Sequence, residues 1–285
     1  MTSRRATLRS VLRRAAPALL LLLLAGAWLV PLRAGDSGLR LASPDRAHVD
    51  RLRAVIGDLP LDALVLVACD ADLGTYPEIR AATRALLSDL AAHGDQTAIV
   101  SYTPEGRAIA AAELDRIARA GGTPPADLGF VSGSEAGLVR GIASIVPAAA
   151  TGATAEAIRK RGAGIGAFDL VVVISGSDLS ARSWVEQVGA RLPGLKLAAI
   201  APTFLDPELE PYLGSGQLVA LLATLREGVA YAEAIGGDAI AGPGATPASL
   251  PMLVGMLVAL AALAEAAVRR AGTGRLRPTA GRGPS

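Results

Sequence analysis

The sequence predicts an α/β fold: a Rossmann-like three-layer sandwich around a mainly parallel five- or six-stranded sheet, flanked by two transmembrane helices. Three observations lead there. Short apolar runs alternate with longer amphipathic ones through the middle of the 285 residues, the pattern of β-α units whose parallel strands are buried on both faces. An uncharged apolar stretch lies near each end. Arginines cluster outside those stretches, and the middle between them is acidic.

Residues 1–14 carry five arginines (Arg4, Arg5, Arg9, Arg13, Arg14) and no acid, and residues 265–285 carry five more (Arg269, Arg270, Arg275, Arg277, Arg282) against Glu265. The rest holds 18 basic and 25 acidic residues, a net charge of −7, so the basic pI belongs to the tails and nucleic-acid binding by the middle is excluded. Residues 15–32 (AAPALLLLLLAGAWLVPL) are an uncharged run of 18. At about 1.5 Å per residue it nearly crosses a hydrocarbon core of about 30 Å. Residues 246–264 (TPASLPMLVGMLVALAALA) form the second such run. Basic flanks outside both runs place the two tails in the cytoplasm and residues 47–235 outside it, in a cell membrane. Residues 33–46 and the Gly/Pro-rich 236–245 read as linkers. The triplet Ala25-Gly26-Ala27 leaves open that the first run is a cleaved signal peptide.

Lysines number only two, Lys160 and Lys196, against a wealth of alanine and arginine, the bias of a GC-rich bacterial coding sequence. Cys69 is the single cysteine, so no internal disulfide forms and packing must supply the stability.

Within the domain, a helix at 51–56 precedes the first strand. Strands are predicted at 63–68, 97–101, 128–131, 169–175 and 196–201, and helices at 76–92, 105–120, 134–145, 154–161, 179–191 and 224–235. Residues 206–213 read as a short helix, and 217–222 as a sixth strand or a helical turn. Thr103-Pro104-Glu105 places a cap before a first-turn proline. Ser134-Glu135 and Ser177-Asp178 bring acceptors and negative charge to helix starts, and His93-Gly94 reads as a helix stop.

In an open parallel sheet, ligands bind beyond the carboxyl ends of the strands, where the strand order reverses. The loops expected there offer Asp70, Ser101, Thr103, Ser132, Ser175, Ser177 and Asp178 as ligand-binding residues. Asp70 and Asp72, two apart after a strand, together with Asp178, are candidate oxygen ligands for a hard cation such as Mg²⁺ or Ca²⁺. Turn or helix capping is the competing role for Asp70 and Asp72, and the preferred one for Asp72.

The run VLVACDADLGT, with Asp70, Asp72 and Thr75, resembles the first motif of haloacid-dehalogenase-type phosphatases. That resemblance implies Asp70 as nucleophile, Asp72 as acid/base, Ser101 holding the phosphoryl group, Lys160 neutralising it and Asp178 binding Mg²⁺. The sequence departs from the family in the Leu-Gly-Thr that follows Asp72 and in having one acid where the fourth motif has two. As a whole the chain is similar to uncharacterised bacterial two-segment membrane proteins with the same strand-helix spacing and a closing SGQL-to-LREG stretch, here 215–218 and 225–228. That similarity implies architecture and no activity.

Other chemistries find no support. Gly162-Ala163-Gly164-Ile165-Gly166 precedes a strand instead of following one, so a dinucleotide fingerprint is rejected and neither NAD nor ATP is expected. A Ser-His-Asp hydrolase fails because the two histidines, His48 and His93, lie at no strand's carboxyl end. Cys69 is read as a buried apolar cysteine, and Trp184 as covering the sheet in preference to anchoring a partner. The expected function is therefore a membrane-anchored extracytoplasmic binding or accessory module of an envelope membrane complex, with an envelope protein as partner. The alternative is a Mg²⁺-dependent phosphatase-like hydrolase using Asp70, Asp72, Ser101 and Lys160.

Overall fold

The computed structural model of the chain describes residues 46–176 and 181–236, with Gly255 and Val258. The apolar runs 15–32 and 246–264 lie outside the described residues, apart from Gly255 and Val258, which are helical. Among the described residues no helix is long and apolar enough to cross a membrane. The described residues 46–176 and 181–236 fall within one compact unit.

The α/β unit runs α1 (Ala47–Gly57), β1 (Leu64–Asp70), α2 (Tyr76–His93), β2 (Gln96–Ser101), α3 (Pro104–Arg119), β3 (Ala126–Phe130), α4 (Ser134–Ala143), α5 (Ala153–Lys160) and β4 (Leu170–Ser175). A short helix α6 (Ala181–Ser183) continues into a π-helical stretch (Trp184–Gly189), followed by β5 (Lys196–Ile200), α7 (Asp206–Gly214), β6 (Ala220–Leu222) and α8 (Leu225–Ile235). All six strands pair in parallel, in the order β3-β2-β1-β4-β5-β6. The Rossmann-like α/β sandwich is therefore present. The segment left open between strand and helical turn forms the sixth strand, three residues long.

Side-chain alternation along the strands builds two cores. Val65, Val67 and Cys69 of β1 join Ile99 of β2 and Val172 and Ile174 of β4 against α1, α2, α3 and α8. Leu66 and Ala68 join Val100, Val171 and Val173 against α4, α5, the π-helical stretch and α7. β1 and β4 are buried along their whole length, which is why they read as unbroken apolar runs in the sequence.

The helix ends follow local chemistry. Thr103 accepts from the Gly106 N–H at the start of α3, and Thr224 with Glu227 forms a reciprocal capping box at α8. Gly94, at φ +91°, ends α2 by donating its N–H to the Leu90 carbonyl. The cap expected of Ser134 does not form: Ser134 itself adopts φ +47° and makes no capping bond from its side chain, while Gly133 precedes it as the cap residue. The Glu135 carboxylate instead accepts from the Ser183 hydroxyl at 3.2 Å.

Candidate functional site

The strand order reverses between β1 and β4, and Asp70 and Ser175 stand side by side there as register partners at the two strands' last residues. β1 extends to Asp70, so the carboxylate is held by strand geometry and not on a loose loop. It is 1% exposed. The Tyr102 N–H donates to Oδ1 at 2.7 Å and the Trp184 indole Nε1–H to Oδ2 at 3.2 Å.

Burial pushes the Asp70 carboxyl up to about 6, and the N–H donors from Tyr102, Trp184 and Thr103 hold it from rising further. The neighbouring Cys69 thiol is pushed up to about 12, first by burial and then by the Asp70 charge, which leaves it an inert core residue. The Tyr102 and Trp184 rings meet edge to face, with centroids 5.6 Å apart.

Close backbone approaches seal this arrangement. A Cβ on Gly106 would lie 1.9 Å from the Cys69 carbonyl oxygen, and one on Gly176 would lie 2.4 Å from the Asp72 nitrogen. Only glycine lets α3 and the exit from β4 press against the end of β1. Tyr102 is packed as tightly, because a Cβ on Gly141 would come within 2.5 Å of its hydroxyl. That hydroxyl is buried and has no hydrogen-bond partner among the described residues.

Asp72 turns away from the switch point. Its Oδ1 accepts from the Thr75 N–H and its Oδ2 from the Thr75 hydroxyl, both at 2.8 Å, which makes it the cap of its own turn. Ser175 is buried and faces the same side of the sheet as Asp70, its Oγ accepting from the Ala181 N–H at 3.4 Å. Ser101 is buried on the opposite face, two residues beyond Ile99, and its Oγ has no partner among the described residues. Thr103 is occupied as a helix cap. Ser132 is exposed, and its carbonyl accepts from Arg140. Ser177 and Asp178 lie outside the described residues.

Lys160 is corrected most clearly. It is the exposed last residue of α5, and the next residue, Arg161, pairs at 2.7 Å with Asp169, whose Oδ2 also holds the Leu64 N–H that starts β1. Lys160 thus belongs to the amino edge, a strand length of about 20 Å from the carboxyl edge where Asp70 sits. The phosphatase-type constellation fails to assemble: Ser101 faces the wrong layer, Asp72 is bound to Thr75, and Lys160 stands at the wrong end. Among the described residues no group of three or more His, Cys, Asp or Glu side chains is placed to hold a metal ion.

Trp184 is 1% exposed, so it covers the sheet and anchors nothing outside. The partners that sequence reasoning missed are Tyr102 and Trp184 themselves. The usable signal was chemical: a buried indole N–H requires an acceptor, and a strand-end carboxylate inside an apolar layer requires donors. A second buried carboxylate, Glu113 on α3, is fully matched. Burial alone would push it up, but the hydrogen bonds from Arg84 and Arg116 outweigh that and hold it low, tying α3 to α2.

Comparison with known proteins finds no match among family models, curated sequences or solved structures.

Proposed function

We propose that the chain is a membrane-tethered, extracytoplasmic α/β binding module, the accessory subunit of an envelope membrane complex and not a catalyst. Two uncharged apolar runs with arginines outside them and an acidic middle support the tethering and its orientation. The observation that carries the non-catalytic reading is the condition of Asp70 at the switch point and of Asp72 two residues on. Each of their four carboxylate oxygens already accepts an internal donor. A nucleophile or metal ligand must present an oxygen to an approaching substrate; Asp70, 1% exposed, is closed off from one, and Asp72 is held by Thr75 through both oxygens.

The test uses the full chain in detergent or lipid discs, assayed with p-nitrophenyl phosphate and Mg²⁺, alongside thermal unfolding with and without Mg²⁺. No turnover and no shift of the unfolding midpoint by Mg²⁺ are expected. Mg²⁺-dependent hydrolysis that disappears in Asp70→Asn would reverse the reading and restore the hydrolase.

A further inference from the structure

The described part of the α/β unit exposes few large apolar side chains: Leu61, Leu73, Phe130, Val139 and Phe204. Three of these gather at the carboxyl edge. Phe130 ends β3 and is 45% exposed, while Leu73 follows β1 and Phe204 follows β5, each 62% exposed. The sequence contains three phenylalanines in all, and two of them stand out from this edge.

The chain around all three leans to one side of the sheet. The Leu73 N–H donates to Glu105 at the start of α3, and the Thr203 N–H and hydroxyl donate to Glu78 in the first turn of α2, so both loops lean toward the layer containing those helices. Phe130 is the register partner of Ser101, whose side chain faces that same layer. These backbone bonds hold the loops in place, and the apolar tips are presented on a fixed frame.

β3, β1 and β5 are every second strand of the sheet. With neighbouring strands about 4.8 Å apart, the ends of these three strands are spaced by about 10 Å, close to two turns of an α-helix at about 5.4 Å each. Carboxylates lie among them: Glu105 and Asp72 near Leu73, Glu78 between Leu73 and Phe204, and Asp206 just beyond Phe204. Partial burial raises the Asp206 carboxyl, and the charges of Glu210 and Glu227 raise it further against the opposing effect of His48. Two cations near this edge are engaged: Arg107 by both oxygens of Asp127, and Arg140 by the Ser132 carbonyl.

We propose that this edge is the docking surface for a cationic amphipathic helix of a partner protein. Apolar side chains two turns apart seat on Phe130, Leu73 and Phe204, and lysines or arginines beside them face Glu105, Glu78 and Asp206. The proposal rests on the binding-module reading and supplies its partner's chemistry. The same carboxylates disfavour an anionic lipid surface, so the row suits a protein helix better than a membrane.

The test places the full chain in discs of zwitterionic lipid, with empty discs as blank. The probe is a labelled model helix about 20 residues long, with leucines two turns apart on a lysine and alanine background, compared with a counterpart in which glutamate replaces lysine. Saturable binding of the lysine helix above the blank is expected. It should weaken about tenfold in the double variant Leu73→Ser with Phe204→Ser and fall with added salt, and the glutamate helix should not bind. Both substituted residues are exposed, so the variant should keep the parent unfolding midpoint. Absence of binding above the blank, equal binding of the two helices, or binding unchanged in the double variant would overturn the proposal. So would attachment to protein-free vesicles that the double variant loses, which would assign the row to lipid. Discovery of turnover would remove the binding-module reading without altering this measurement, and the two failures are therefore distinguishable.

Discussion

At the scale of single residues, Asp70 carries the most consequence. Its folded-state carboxyl lies near 6 against an ordinary value of 3.8, so the folded chain binds this proton more tightly than the unfolded one. The stability it contributes is fully present below about pH 3.8 and is lost as pH rises through about 6, a change of about 3 kcal/mol. Asp70→Asn cannot titrate, and its amide nitrogen would confront an N–H donor from Tyr102 or Trp184. The variant should therefore be less stable than the parent at pH 4, with the gap narrowing toward pH 7. Denaturant unfolding of both proteins across that range measures this directly, and a gap independent of pH would show that Asp70 does not titrate there. The role of Asp72 was legible in the sequence because its partner Thr75 lies three residues away. The Asp70–Trp184 bond, across 114 residues, was not, since it depends on how β1 and β4 align and on where α6 crosses them.

Among the elements, β1, β4 and β5 were readable because strands covered on both sides must be apolar throughout. β3 was shifted in the reading, 128–131 against the observed Ala126–Phe130. As an edge strand it carries the exposed Asp127 and a positive-φ glycine, Gly129 at +81°, which dilute the apolar signal and twist the edge. The π-helical stretch had no sequence signature. The position of Lys160, in contrast, could have been deduced, because a helix crossing between parallel strands always returns its carboxyl end to the strands' amino edge. Packing makes α3 the element most sensitive to a single methyl group. Gly106→Ala drives a Cβ into the Cys69 carbonyl and should lose about 3 kcal/mol or more in denaturant unfolding. Gly57→Ala at the end of α1 meets no atom within 4 Å and should be neutral or stabilising by up to about 1 kcal/mol. Equal effects of the two would show that the tight approach of α3 to β1 is not a constraint.

For the whole molecule, the fold class was legible and the chemistry was not, because alternation of apolar and amphipathic runs fixes layers while a site depends on which face and which edge each side chain reaches. Ser101 shows this: it stands at a strand end as expected, yet one position of alternation puts it on the other side of the sheet from Asp70. The proposed orientation is checked by protease added to the non-cytoplasmic side of intact cells. Cleavage should fall within 33–245 while reporters fused to both tails stay protected; cleavage of either tail from that side would reject the arrangement. The order β3-β2-β1-β4-β5-β6 also governs the sequence of assembly. β1 finds β2 within about thirty residues, but its other side waits for β4, which the Leu64–Asp169 bond joins across 105 residues. Long-range pairings of this kind close slowly. A chain emerging amino end first therefore completes β1 through β3 as a half-sheet whose inner edge is bare until β4 arrives, and that interval is when the protein is most open to mispairing with a second copy.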